Sequence, residues 1–447
     1  MNPELYLRRQ QDRRPVLLRG GRVVDPARGH DGVADVLLVS GRVEAVAPAL
    51  AAPDGAFVHD VAGLVVAPGF VDLHVHLREP GGEHKETIAT GARAAVAGGF
   101  TSICAMPNTE PPVDDSATVG FVRSEGLRAR AARVYPVGCI SVAQKGEQLA
   151  EIGEMVEAGA VAITDDGRPV ESAGLLRLAL EYASSFGIPV ADHCEDRTLS
   201  RGGSMNEGLT CSRLGLVGIP NAAEDVMIAR DLMLAELAGG RIHIQHVSTR
   251  FGVELIRAAK ARGVQVTAEA TPHHLTLTDV AVDGYRTEAK VNPPLRGELD
   301  RVAVLAGFAD GTLDVLATDH APHHYDEKEQ AFEDAPFGLV GLETALGLVF
   351  TELVLKDVIT LGTMVERMSA APARAFNLPG GSLAPGMPAD VVVFDPGAAW
   401  VVDPASFQSK SRNTPFTGRQ LRGLVLLTLV GGEVAWEVPR REAGGGS

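Results

Sequence analysis

Two textures alternate along the chain. Residues 16–68 run as short apolar stretches broken by Gly-containing turns, VLLRGGRVVD, DVLLVSGRVEAV and FVHDVAGLVVAPG, the mark of a small β-meander. The same texture returns near the end in ADVVVFDP, AAWVVDP and GLVLLTLVGGEVAWE. Between them, stretches rich in Ala, Glu and Leu with helical character (TIATGARAAVAGG, AGLLRLALEYASSFG, AEDVMIARDLMLAELAGG, GVELIRAAKARG) alternate with short apolar runs.

Eight such runs can be counted: 69–76, 101–108, 132–141, 160–166, 189–195, 241–248, 265–274 and 313–320. Strand–helix alternation repeated eight times predicts a parallel (β/α)8 barrel of the TIM type, an α/β fold. The β texture on both flanks predicts that the two chain ends meet in one small β-sandwich. The expected organisation is therefore an accessory β domain in two parts, 1–68 and 379–440, around a barrel at 69–378. The Gly-rich 441–447 reads as a disordered tail.

Nearly every run ends in His, Asp, Asn or Ser. Nine of the 13 His residues lie at or just past a strand end: His74, His76, His193, His246, His273, His274, His320, His323 and His324. In a barrel those ends converge on one mouth, where the active site sits, which favours a barrel over an open doubly wound sheet. His74 and His76 are two residues apart on a strand and point to one face. With Asp166, His193, His246 and Asp319 they make six imidazole or carboxylate groups, enough for two divalent ions sharing a carboxylate and suited to Zn2+. Alternation allows only one of Asp165 and Asp166 to face inward and does not say which. His273, His274, His320 and His324 read as supporting or packing groups, Cys194 as a small buried hydrophobe, and His243 as structural or surface.

Composition narrows the partners. The net charge is −16, no basic block stands out and aromatics are 5% of the 447 residues, which argues against nucleic acid or an anionic membrane surface. An anionic substrate would need a local cation, and Arg78 lies two residues past His76. Four Cys without a CxxC pair make no disulfide framework. The first residues, MNPELYLRRQQDRRP, hold no apolar signal core and no run reaches membrane-spanning length, so a reduced cytoplasm is the expected compartment.

VDLHVHLREPG (71–81) resembles the amidohydrolase signature in its dihydroorotase form. MPNTEPP, ITDDG, HCE, HIQHVST, TPHHL, KVNPPLR, ATDHAPH and PFGLVGLET follow in that family's order, over nearly the whole chain. The resemblance implies a first ion on His74, His76 and Asp319 and a second on His193 and His246. Related hydantoinases, allantoinases and one dihydroorotase branch bridge the ions with a carbamylated Lys at the end of strand four; the Asp-bridged branch uses the second Asp of DDG, here Asp166. It implies further that Arg78, Asn108, Asn292, His323 and the backbone at Phe337 and Gly338 contact substrate. The implied reaction is the reversible cyclisation of N-carbamoyl-L-aspartate to L-dihydroorotate, by attack of a metal-bridged hydroxide with Asp319 as general base and then acid. The other readings are a different cyclic amidohydrolase and a non-catalytic scaffold for aspartate transcarbamoylase. A homodimer and a transcarbamoylase complex are left open. The charged segment 321–338, anchored at both ends on expected substrate contacts, reads as a mobile cover for the mouth.

Overall fold

The computed structural model describes residues 14–438; the expectation for 441–447 lies outside the described residues. The barrel opens with Phe70–Val75, which pairs in parallel with Phe100–Ala105, and that with Arg133–Pro136. Val190–Asp192, Ile242–Ile244, Val266–Ala270 and Val315–Leu316 form the second parallel set. The two sets join twice. Ile163 bridges Gly138 on one side and Val190 on the other, and Val75 bridges His320. These contacts complete a closed (β/α)8 barrel.

The fourth run, expected as a strand over 160–166, forms bridges at Ile163 and bonds its neighbours from Val161 to Thr164: Val161 N donates to Pro136 O (3.1 Å), Thr164 N to Gly138 O (2.9 Å) and Ala191 N to Ile163 O (2.8 Å). Past Thr164 side-chain bonds take over: the Asp165 carboxylate accepts the backbone N–H of Ile140 (2.9 Å) and of Ser141 (3.1 Å). The helices start where the sequence supplies caps. Asp115, Ser172 and Thr249 accept the N–H of Thr118, Leu175 and Gly252, satisfying donors that a first helical turn leaves open. Gly239, Gly263 and Gly311 end three helices in the left-handed region, where a side chain would be strained. Helix Ala173–Ser185 turns Leu175, Leu176, Ala179, Leu180 and Ala183 inward at helical spacing and leaves its other face to solvent.

Both chain ends contribute to one sheet. Val65–Pro68 pairs with Val16–Asp25 on one side and antiparallel with Val391–Val401 on the other. Inward residues of the strands, among them Val16, Leu18, Val36, Val43, Val66, Val391, Val393, Leu427 and Leu429, form one apolar cluster. This is the accessory β-sandwich attached to the barrel.

A buried ion pair fastens the two parts. Arg133, on the third barrel strand, donates from Nε and Nη2 to Asp390 at 3.0 and 2.9 Å, and Asp390 also accepts Gly431 N at 2.7 Å. Removing one partner strands a desolvated charge, whereas replacing both by apolar groups does not. Asp390→Ala is expected to cost about 3–5 kcal/mol, seen as a lower denaturant midpoint. Arg133→Met with Asp390→Leu should recover most of the loss. A single variant with an unchanged midpoint would disprove the argument.

Candidate metal centre and substrate cavity

The barrel mouth holds a cavity of ≈ 550 Å3 lined by His76, Arg78, Asn108, Asp166, Gly167, Arg168, His193, His246, Asn292, Asp319, Ala321, His323, Pro336, Phe337 and Gly338. His74 lies just beneath, fully buried. All the ligand and substrate candidates read from the sequence meet here. The chain reaches this point through backbone that β-structure does not supply: Arg78, His246 and Asp319 have φ of 61°, 31° and 47°. Non-glycine residues in the left-handed region are sparse, and a folded site holds them there only where its surroundings over-determine them.

The donor set has the spacing of metal ligands. His76 Nε2 lies 3.1 Å from Asp319 Oδ1 and 3.5 Å from Asp166 Oδ2. His74 Nε2 lies 3.5 Å from both Asp166 Oδ1 and Asp319 Oδ1. On the other side, Asp166 Oδ1 is 3.8 Å from His193 Nδ1 and 3.9 Å from His246 Nε2. Ligands at about 2.0–2.2 Å from an ion sit about 3.3–3.6 Å from one another around it. Among the described residues, Asp166 is the one carboxylate that reaches both His pairs. His74 Nε2 is buried and has no hydrogen-bond partner among the described residues. A buried ring nitrogen left without a partner is what a metal ion would satisfy. The residues therefore fit a two-ion centre.

Three of the four imidazoles are oriented from behind. His74 Nδ1–H donates to Glu269 Oε1 at 2.7 Å, and His76 Nδ1–H to Asn108 Oδ1 at 2.9 Å. His193 Nε2–H donates to Glu195 Oε2 at 3.0 Å, so this ring presents Nδ1 to the centre. Fixing the outer nitrogen sets tautomer and ring angle together. Burial alone would raise the carboxylates, but His74 and its neighbouring imidazoles hold Asp166 and Asp319 well below the usual range. Both are ionised.

Glu269 was not singled out in the sequence. Its Oε1 also accepts His246 N at 3.1 Å, and its Oε2 accepts from His243 Nε2–H at 3.0 Å. His243 is thus buried and structural. A carboxylate inside an apolar core strand is the signal that was available, since a buried charge needs partners. Glu195 was equally visible: two residues past His193 on extended chain, it shares that residue's face. Glu269→Gln places an amide N–H against the His243 donor. We expect metal affinity to fall about 10–100-fold, measured by competition with a chelator, and an unchanged affinity would remove Glu269 from this role.

The substrate side has its own logic. Arg78 Nε donates to Pro322 O at 3.1 Å, and its Nη2 lies 3.3 Å from His323 Nε2. Burial, then Arg78, holds His323 far below an ordinary imidazole, so it is neutral. Asn292 Nδ2 donates to Glu195 Oε2 at 3.0 Å. Asn108 donates to Asp166 Oδ2 at 3.4 Å. Both Asn residues therefore belong to the ligand network as well as to the cavity wall. Arg168 is an exposed cation at the rim that the sequence reading did not pick out.

The remaining histidines separate. His274 is held between Thr271 and Pro293 O (2.9 Å) and supports the turn that carries Asn292. His320 faces Glu86 at 3.4 Å, and His324 caps the helix Tyr325–Lys328. His273 is buried beside the centre, its Nε2 has no hydrogen-bond partner among the described residues, and burial lowers its pKa to about 4. Cys194 is buried, yet it is not merely a small hydrophobe: its thiol lies 3.3 Å from Asp231 Oδ2. Asp192, Cys194 and Asp231 cluster closely enough to hold an ion, but none lines the cavity. Arg230, 2.6 Å from Asp231, already supplies the positive charge there.

Segment 321–338 departs from a solvated charged run. Lys328 is buried, and its ammonium donates to Pro336 O (2.8 Å) and Gly338 O (3.0 Å). Lys290 likewise donates to Phe332 O (2.6 Å), Glu333 O (2.9 Å) and Ala335 O (2.6 Å). Two ammonium groups thus replace the apolar period that the segment lacks.

A closed parallel barrel with this ligand set at the C-terminal strand ends defines an amidohydrolase-type metal centre. Residues 63–251 match the family described as Dihydro-orotase-like. The chain is 55% identical over 422 residues to a dihydroorotase of Pelotomaculum thermopropionicum, covering 94% of this chain and 98% of the relative. It is 54% identical over 424 residues to one of Anaeromyxobacter dehalogenans, at 94% and 98% coverage. Among solved structures, an L-hydantoinase (dihydropyrimidinase) from Arthrobacter aurescens superposes with a TM-score of 0.85 at 28% identity, covering 94% of this chain and 96% of the other. A D-hydantoinase (dihydropyrimidinase) from Thermus sp. shares the fold at a TM-score of 0.81 and 24% identity, covering 96% and 98%. The chain belongs to the dihydroorotase family.

Proposed function

We propose that this family member interconverts N-carbamoyl-L-aspartate and L-dihydroorotate, the cyclisation step of pyrimidine synthesis, in the cytoplasm and with two Zn2+ ions. The observation that carries this reading is the pairing of Arg78 with the two-ion ligand set on one cavity wall. A planar guanidinium suits the carboxylate that both compounds keep throughout the reaction. No helix among the described residues is long and apolar enough to cross a membrane.

His74, His76 and Asp319 would hold one ion and His193 and His246 the other, with Asp166 between them. Imidazole and carboxylate donors in this number suit zinc. When bound, the ions supply an acidified water and polarise the ring carbonyl. The chain supplies the rest. Arg78, with Asn108, Asn292 and His323 around it, fixes the substrate carboxylate. The backbone at Phe337 and Gly338 meets the edge of the ring. In the ring-opening direction Asp319 takes a proton from the attacking water and returns it to the ring nitrogen as its bond to the carbonyl carbon breaks. The new carboxyl group then ionises, releasing one proton. Ring closure runs the same steps backwards, with loss of water.

A carbamylated-lysine bridge has no support here. The position between the His pairs is Asp166, and Lys145, the nearest Lys in sequence, is exposed in a turn. The deciding experiment assays both directions on protein whose metal content is measured in the same sample, with hydantoin and allantoin as comparators. Turnover of dihydroorotate in preference to both, with about two ions per chain, is expected. Preference for hydantoin, or no turnover with both ions bound, would overturn the reading.

A further inference from the structure

We infer that Asn413, on the connection between two accessory-sheet strands, is a positioning residue that clamps both ends of the substrate wall. It lies between the strands Val391–Val401 and Gln420–Val430, far in sequence from the residues that line the cavity. Its side chain is buried. The Oδ1 atom accepts His323 N at 3.1 Å, while Nδ2 donates to Ala321 O and to Gly338 O, each at 3.1 Å. Its backbone carbonyl accepts Val340 N at 2.9 Å. One amide thus satisfies the chain leaving the eighth barrel strand and the chain returning to it.

The two ends must stay close for a steric reason as well. A Cβ on Gly338 would come within 2.7 Å of Ala321 Cβ, and the residue has a φ of +133°. The backbones meet there without room for a side chain, and Asn413 bonds the inward carbonyls of both, Lys328 adding a second bond to Gly338 O at 3.0 Å. The inference rests on the reading of His323, Phe337 and Gly338 as substrate contacts. If they are, loosening the clamp moves binding groups and leaves the metal ligands in place. The connection is anchored independently: Glu343 accepts Gln408 N (2.9 Å) and Ser409 N (3.1 Å), and Ser409 donates to Glu86.

Three variants test this. Asn413→Ala removes the clamp. Asn413→Asp keeps its volume and the acceptor for His323 N, but turns a carboxylate oxygen on two carbonyls. Ser409→Ala loosens the same connection without touching the wall. Both Asn413 variants are expected to raise KM roughly 10–100-fold with a much smaller change in kcat, an unchanged metal content, and faster amide exchange across 321–323 and 336–340. Ser409→Ala should leave KM within about threefold of the parent. An Asn413→Asp variant with parental KM would overturn the proposal, because volume alone would then suffice. So would an equal rise in KM for Ser409→Ala, or loss of metal. If Asn413→Ala does not fold, Asn413→Asp decides alone. If the parent does not turn over dihydroorotate, the functional reading fails, and exchange in the ligand-free variants still tests the clamp.

Discussion

Asp319→Asn is expected to lower kcat by about 10²–10⁴ while most of the metal stays bound. On the proposed mechanism the carboxylate has two jobs at one place. Its Oδ1 lies 3.1 Å from His76 Nε2 and 3.5 Å from His74 Nε2, as a ligand of one ion would. The residue also lines the cavity, where the proposed mechanism has a proton taken from water and given to the ring nitrogen. An amide oxygen can still coordinate weakly, but an amide cannot accept that proton. The backbone favours the substitution: φ is 47° at Asp319, and Asn tolerates the left-handed region better than most residues. The loss should therefore be chemical and not conformational. Because one equilibrium constant links the two directions, kcat/KM must fall by the same factor in both. Activity within tenfold of the parent, at equal metal content, would remove Asp319 from the proton transfer.

The ligand candidates were legible because barrel topology does much of the work. Strand ends distant in sequence become neighbours, so a polar residue at the end of an apolar run is a candidate without knowledge of its partners. His74 and His76 needed only the two-residue period of a strand. Asp165 and Asp166 show where that logic stops. Alternation put one of them inward, and the fold puts Asp166 there, because Asp165 is spent on the backbone of Ile140 and Ser141. The groups behind the ligands were harder. Glu269 sits in mid-strand, where a carboxylate is informative only if the reader asks what pairs with it. Lys290 and Lys328 left no signal, since nothing local distinguishes an ammonium that caps loop carbonyls from one in water. Asn413 left no local signal. Its partners are backbone atoms some 75 to 92 positions away, reached only through the path of the accessory connection.

Asp166→Ala is expected to release at least one ion per chain and to lower activity by roughly 10³-fold or more, since activation of water and orientation of the carbonyl are lost together. The geometry gives this residue a reach that no other ligand has. Its Oδ2 is 3.5 Å from His76 Nε2; its Oδ1 is 3.5 Å from His74 Nε2, 3.8 Å from His193 Nδ1 and 3.9 Å from His246 Nε2. Removing it leaves two His pairs with no shared anion, and each ion loses a ligand in a buried site where water cannot fully replace it. Asn108 also loses the acceptor that fixes its amide on the cavity wall. The control is the residue next door. Asp165→Ala breaks bonds to Ile140 and Ser141 and should lower stability, but it removes no group near the imidazoles, so folded protein should keep both ions. Metal analysis of the two variants separates them. An Asp166→Ala protein with parental metal content and activity would rule out this bridge. An ion lost from Asp165→Ala but kept in Asp166→Ala would mean that the inward residue had been assigned to the wrong member of the pair.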